Sequence, residues 1–481
     1  MTPSPRRLAS LTGLVLILAA CGADPDAPSQ GGGDAREVRE YEAGPVPEGS
    51  GGDAADDVNG DGFTDLLFVT DYDAEQLNAD PPAAPDEFRR LMVVYGSADG
   101  LDPATRTVLP PRAVLAVSAS GHGGPRRPGT ADLDGDGFSD IPVRTDSGDD
   151  RPGGQAVVWG GPAGPDPDAA PTLLTAPSGQ AWESSYRPPA AGDFDGDGNA
   201  DLVLSQEAMP VTGESVLRVL YGPFDRDGTP ARTAERALTG RVGALVPEPL
   251  PAEGGPTRLL VRRGDDGEQP GNTLLLTGPG DPAEWDEVDL RPGALAAFAD
   301  LDGDGESDLA LADDGSRNNE PGFGTEAPEV DRRVNVYPGP VTAQAQEQGP
   351  VAGDLPRADS TGSSSPVSGM AACDTDGDGR DELAIGTHGL GVDLMRVAGD
   401  TVEVDPGERL VRRGPDSGPI GAENDPARTA RVYSCADYDA DGSDELVLVY
   451  GPGPYGTSPA RWWVTDGAED ESSFDSAAFT D

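Results

Sequence analysis

The chain has 481 residues, 87 of them acidic against 34 basic, and a formal net charge of −53 at pH 7. So strong a negative field excludes nucleic acid and anionic membrane surfaces as partners and favours cations. Apolar residues make up 36% of the chain and fall in short runs, so a core must be assembled from many small pieces; the length allows one large domain or several ordinary ones.

The first segment reads as an export signal. Arg6 and Arg7 precede an apolar stretch, residues 11–20, far shorter than the roughly 20 residues of a bilayer span. It runs into "LAAC", residues 18–21, which resembles the bacterial lipobox. That resemblance implies a signal peptide over 1–20, lipidation of Cys21 and anchoring to the outer face of a bacterial cell membrane. An ordinary signal peptide cleaved nearby is the alternative. Residues 21–50 begin rich in Gly, Pro and Ser, the composition of a flexible tether, and the folded domain is expected over 51–481.

From there a twelve-residue pattern recurs six times: "DVNGDGFTDLLF" from Asp57, "DLDGDGFSDIPV" from Asp132, "DFDGDGNADLVL" from Asp193, "DLDGDGESDLAL" from Asp300, "DTDGDGRDELAI" from Asp374 and "DYDADGSDELVL" from Asp437. The spacing is 61 to 75 residues except for 107 between Asp193 and Asp300. Such a period means an array or closed ring of similar units. Each acidic loop leads into an apolar run, and a second run follows that closes on aromatic-Gly or Gly-Pro, as in "LMVVYGSADGL" from Leu91, "AVVWGGPAG" from Ala156, "LRVLYGP" from Leu217 and "VNVYPGP" from Val334. Runs of this kind bounded by Gly, Pro and Asp predict buried strands. No segment carries a sustained helical period, so each unit is predicted to be a small antiparallel sheet of about four strands. The long gap holds a degenerate copy: residues 249–261 overlay the pattern with Leu250 at the first position and Gly254 and Gly255 at the Asp-Gly step.

Alternate acids closed by Gly suit a hard cation bound in a tight loop. An EF-hand needs Glu at position twelve and then a helix; here position twelve is Phe68, Val143, Leu204, Leu311, Ile385 or Leu448, and the acid falls at position nine. The pattern instead resembles the FG-GAP calcium loops of integrin α chains and the related VCBS repeats of bacterial proteins. The resemblance spans nearly the whole mature chain. It implies an all-β, seven-bladed β-propeller with calcium loops in six blades and one degenerate blade. It also implies ligation by side chains at positions one, three, five and nine and by the carbonyl at position seven. Carried over, the sets are Asp57, Asn59, Asp61, Phe63 and Asp65; Asp132, Asp134, Asp136, Phe138 and Asp140; Asp193, Asp195, Asp197, Asn199 and Asp201; Asp300, Asp302, Asp304, Glu306 and Asp308; Asp374, Asp376, Asp378, Arg380 and Glu382; and Asp437, Asp439, Asp441, Ser443 and Glu445. Asp381 and Asp444 stand beside the two glutamates and compete with them for the ligand role. Magnesium, which demands octahedral geometry and keeps its waters, is the rival ion, and metal-free solvated turns are the plain alternative.

Beyond the tether only Cys373 and Cys435 remain. Both end the first strands of neighbouring units, where a disulfide is expected in an exported protein; two buried free thiols are the alternative. His122 and His388 read as loop residues, and no GxSxG, CxxC, HExxH or phosphate loop is present. The tripeptide Arg263-Gly264-Asp265 matches an integrin-recognition sequence and is read as chance in this composition. The chain is therefore expected to be no enzyme but a monomeric, calcium-binding cell-surface lipoprotein that binds an extracellular protein or glycan, touching the membrane through its lipid alone. The variable stretches 71–90 and 312–332 are expected to form the partner surface. An extracellular enzyme acting on glycan or lipid and a structural envelope protein are the competing readings.

Overall fold

The computed structural model describes residues 43–52, 54–70, 90–110, 129–145, 154–176, 189–207, 214–250, 254–263, 271–313, 333–356, 367–404, 409–415, 427–451, 460–467 and 469–479. The expected signal peptide, Cys21, most of the tether, His122 and nearly all of 71–90 and 312–332 lie outside them.

The apolar run after each acidic loop becomes a strand, and so does the run after that. The first sheet holds β1 (Leu66–Thr70), β2 (Arg90–Val94) and β3 (Arg106–Val108); the second holds β4 (Ile141–Thr145), β5 (Gly154–Val158) and β6 (Thr172–Leu173). The third contains β7 (Ala190–Gly192), β8 (Asp201–Glu207), β9 (Glu214–Phe224) and β10 (Pro230–Thr239), and the fourth β11 (Val242–Pro247), β12 (Leu259–Arg263), β13 (Asn272–Leu276) and β14 (Asp286–Leu290). Next come β15 (Leu295–Ala299), β16 (Asp308–Ala312), β17 (Arg333–Tyr337) and β18 (Val351–Asp354), then β19 (Val367–Cys373), β20 (Glu382–Thr387), β21 (Gly391–Ala398) and β22 (Thr401–Val404). These eight form one sheet, in the order β15-β16-β17-β18-β22-β21-β20-β19, whose halves meet through a single parallel pair, Ala352 with Thr401. The last sheet is β23 (Arg431–Ala436), β24 (Glu445–Tyr450), β25 (Arg461–Thr465) and β26 (Asp470–Asp475).

Among the described residues, the strand expected before the acidic loop shows in the first two sheets as a single contact. Ala131 bridges Asp140 in the second, and the Asp65 amide donates to the Asp56 carbonyl at 3.2 Å in the first. Among the described residues, helical segments are single turns such as Ala345–Gln348.

Strands such as β16 and β24 are buried at every position because both faces of each sheet are covered by neighbours. The apolar clusters show the order of packing. Each joins sheets adjacent in sequence: first with second, second with third, third with fourth, fourth with the β15–β18 half. The chain of contacts continues between the two halves of the long sheet and from β19–β22 to the last sheet. One more cluster joins the last sheet to the first. The arrangement is a β-propeller.

The closing contact is aromatic. Phe68 of β1 lies 4.3 Å, centroid to centroid, from Trp462 of β25, which stacks on Phe474 at 6.0 Å and meets Tyr433 edge-on at 4.9 Å. The Tyr433 hydroxyl donates to the Leu67 carbonyl at 2.8 Å. One sheet back, Cys373 at the end of β19 and Cys435 in β23 form a disulfide with Cα atoms 5.6 Å apart, within the span a disulfide bridges.

Trp462→Ala removes the ring shared by first and last sheets. The expected loss is about 3–5 kcal/mol of unfolding free energy, read from denaturant titration; a change below about 1 kcal/mol would show that the ring does not close through this contact.

Candidate metal centres

Each acidic loop is wound around its first carboxylate. In the fourth occurrence Asp300 accepts from the amides of Gly303, Asp304 and Gly305 at 2.8, 3.1 and 2.9 Å. Asp132 and Asp193 do the same in their loops, and Asp374 and Asp437 accept from the amides at positions five and six. The position-five acid then accepts from the position-seven amide, as Asp304 does from Glu306 at 2.9 Å. This winding needs positive φ at positions four and six: Gly303 lies at 77° and Gly305 at 88°. In the last loop position four is Ala440, held at φ 59°, where a Cβ is strained.

The winding brings carboxylate oxygens together. Asp132, Asp134 and Asp136, then Asp193, Asp195 and Asp197, Asp300, Asp302 and Asp304, and Asp374, Asp376 and Asp378 each place one oxygen within 4.8 Å of the others; Asp437, Asp439, Asp441 and Glu445 do so as a foursome. The first loop, with Asn59 at position three, forms no such trio of acids; the Asn59 amide nitrogen donates to Asp61 at 2.9 Å.

The position-nine acids do something the spacing did not reveal. Asp201 accepts from Phe194 N at 2.9 Å with one oxygen and from Gly222 N at 2.8 Å with the other. Asp65 joins Val58 to Gly96, Asp140 joins Leu133 to Gly160, and Asp308 joins Leu301 to Gly339 in the same way. Each thus ties the second residue of its loop to the glycine that closes the next run. This accounts for the recurring aromatic-Gly. A Cβ at Gly222 would stand 2.3 Å from the Ala200 carbonyl, at position eight, and one at Gly96 would stand 2.3 Å from that of Thr64. Asp140, Asp201, Asp308 and Glu382 fall outside the close groups of their loops, whereas Glu445 is inside its own.

Position eight links loop to loop. The amides of Ser139, Thr257, Asp381 and Asp444 donate to the position-one carbonyls of the preceding loop, Asp57, Asp193, Asp300 and Asp374, at 2.8, 2.6, 2.9 and 2.8 Å. The side chains of Asp381 and Asp444 accept the Asp300 and Asp374 amides at 2.8 and 3.0 Å. In this structure the two acids serve that junction. The degenerate copy keeps it through Thr257, while its ninth position is Arg258, paired with buried Glu248 at 2.8 Å.

Burial sets the electrostatics. It pushes Asp140 and Asp201 up to about 7, Asp308 to about 6 and Glu445 to about 8, against the lowering effect of the amides they accept. Glu471 adds repulsion at Glu445. Among the described residues, arginines pair with the acids of three loops: Arg226 with Asp134 and Asp136, Arg232 with Asp195, and Arg396 with Asp376 at 2.7 Å; Arg380 lies beside Gly303 of the fourth loop without pairing with its acids.

These residues fit a hard divalent cation. The donors are carboxylate oxygens, and two buried oxygens at position three, Asn59 Oδ1 and Asp134 Oδ1, have no hydrogen-bond partner among the described residues. Unpaired buried acceptors are costly, and a coordinated cation would satisfy them.

No family model matches the chain, and no curated protein does. Solved structures with a similar arrangement include a variant of Synechocystis apocarotenoid oxygenase, at 10% identity over 91% of this chain and 94% of that one with a TM-score of 0.41. Another is the Pseudomonas aeruginosa periplasmic gluconolactonase, at 15% identity over 85% and 96% with a TM-score of 0.40. Both are enzymes by name, which corrects the expectation that this chain is no enzyme: the propeller arrangement gives no ground for excluding catalysis. At this distance neither likeness assigns this chain an activity.

Ala440→Gly should relieve the left-handed strain in the last loop and raise stability by about 0.5–1 kcal/mol, measured by thermal unfolding; a loss would contradict the loop geometry. A pH series tests the buried acids. Their folded values lie above the unfolded value of about 4, so the metal-free folded chain binds more protons than the unfolded chain between about pH 4 and 8. In chelator the melting temperature should therefore fall as pH rises through that window, and saturating calcium should flatten or reverse the slope, because an ion needs the ionised acids. A flat profile in chelator would refute the burial argument.

Proposed function

We propose that the chain is a calcium-binding propeller of the FG-GAP and VCBS kind with seven blades, one degenerate, exported and held by lipid on Cys21 at the outer face of a bacterial membrane. The observation that carries this reading is the recurrence of one carboxylate cluster at the same point of successive sheets, each wound by the same amide bonds. Seven blades follow if the eight-stranded sheet is divided at its single parallel pair. Calcium suits the loops better than magnesium because they offer several protein oxygens in a flexible backbone rather than a site for a hydrated octahedral ion.

The ion's task here is structural. Each loop gathers like charges that repel without a cation, and an ion bound only by the native loop adds its binding free energy to folding. Calcium so held would fix the blades and present their connecting loops to an extracellular protein or glycan. The excess acidity keeps the surface solvated and disfavours anionic partners.

Replacing Asp302 and Asp304 by Ala should remove one calcium from the stoichiometry found by elemental analysis. It should also lower stability by about 3 kcal/mol when free calcium stands about 100-fold above the loop's dissociation constant. Leu250→Ser, at the first position of the degenerate loop and exposed, should leave the ion count unchanged. A chain that binds no calcium, or whose melting temperature ignores chelation, would overturn the reading. Capture of a partner from native envelope with calcium, lost with chelator, is the expected outcome for the binding role.

A further inference from the structure

The loops differ in what already neutralises them. In three of the six, an arginine reaches the carboxylate at position three: Arg226 reaches Asp134, Arg232 reaches Asp195 and Arg396 reaches Asp376. Arg396, on β21, goes furthest, standing 2.7 Å from Asp376, 3.2 Å from Glu382 and 4.0 Å from Asp378. Positions three, five and nine of that loop thus converge on one guanidinium. Arg226, from the turn between β9 and β10, reaches back to the loop of the preceding sheet and also pairs with Asp136. Aromatic rings position two of the three. The Arg226 guanidinium lies 5.2 Å from the Trp159 ring centroid and that of Arg232 lies 3.2 Å from Tyr221, so each has a cation–π shelf to hold it near its acid. Among the described residues no arginine pairs with the acids at positions one, three, five or nine of the first, fourth or last loops. The Asp134 side chain is only 8% exposed, yet its Oδ1 keeps no hydrogen-bond partner, so the guanidinium alone leaves the second loop's acceptors incompletely satisfied.

We infer that Arg226, Arg232 and Arg396 are built-in counter-ions that compete with calcium for the second, third and fifth loops, dividing the six loops into a tight class and a weak class. The inference rests on the calcium reading above. A calcium ion entering one of these loops must take over oxygens that the guanidinium already holds, whereas in the other three loops no described arginine pairs with the carboxylates, Arg380 lying beside Gly303 of the fourth loop and acting on Asp302 only at a distance. Both states keep the acids paired, so the competition changes affinity without opening the fold. As calcium rises, the first, fourth and last loops fill first. The arginine-held loops follow, and their guanidiniums are released to the surface; for Arg226 that release also breaks a pairing between the second and third sheets.

The test is calcium titration of the full chain, counting bound ions by equilibrium dialysis with elemental analysis. It covers wild type, Arg226→Gln, Arg232→Gln, Arg396→Gln and the control Arg333→Gln, whose arginine pairs with Asp354 outside the loops. Wild type should fill in two classes. Each loop arginine variant should move one ion from the weak class toward the tight one by about tenfold in affinity, equivalent to about 1.4 kcal/mol, and Arg333→Gln should move none. The same three variants should lower the metal-free melting temperature while enlarging the rise produced by calcium, a pairing that simple loss of a surface contact does not give. Calcium binding with unchanged classes in all three variants would overturn the inference and leave the calcium reading standing. No calcium bound by any protein, wild type included, would overturn both.

Discussion

The position-nine carboxylate is the constraint from which most of the structure follows. It is buried, and a buried charge or polar acid must be hydrogen-bonded. Asp65, Asp140, Asp201 and Asp308 meet that demand by accepting one amide from their own loop and one from the glycine that ends the following run. The first bond fixes the loop's curvature. The second fixes how far β1, β4, β8 or β16 is displaced along its hairpin partner, because only a glycine lets that partner approach the position-eight carbonyl. A single side chain therefore couples loop shape, strand register and the choice of residue some 20 to 31 positions away.

Around that constraint the units are joined in two ways of different physical character. Apolar clusters between sheets supply non-directional burial, which holds neighbours together but tolerates sliding. The position-eight amide bonding to the preceding loop's first carbonyl supplies direction. Its persistence in the degenerate copy, through Thr257, shows that the joint does not depend on the acidic cluster. There the ninth position carries Arg258 against Glu248, so an internal ion pair occupies a place where Asp65, Asp140, Asp201 and Asp308 are held by backbone amides. The disulfide between Cys373 and Cys435 adds a covalent joint at one such boundary.

Electrostatics sets the same loops apart from ordinary turns. Three or four carboxylates are drawn within 4.8 Å by backbone geometry rather than by any attraction between them. The buried position-nine acids beside these groups hold their protons more tightly, chiefly because they are buried and further because the neighbouring carboxylates repel their charge. A structure that forces like charges together in this way requires protons, arginines or metal ions to offset them. Arginines offset them in the second, third and fifth loops, so the loops differ in how much charge is left to offset.

The amino-acid sequence by itself determined the repeat, the strands and the acids. Residues such as Asp300, Asp302 and Asp304 fall on alternate positions of a short loop, and apolar runs such as 309–311 have no helical period, so local spacing was enough to read them. The degenerate copy was legible for the same reason, since Gly254 and Gly255 and the strand after them keep their places. Only the tertiary structure decided what lies between units. That Asp381 and Asp444 serve the preceding loop, that Gly96 and Gly222 answer to an acid in another strand, and that Arg226 reaches back across a sheet boundary depend on contacts tens of residues apart in the chain. It also decided the closing of the ring, where Phe68 meets Trp462. Packing direction and inter-sheet register arise from side chains meeting in space, and spacing along one chain carries no record of which distant surface will cover which.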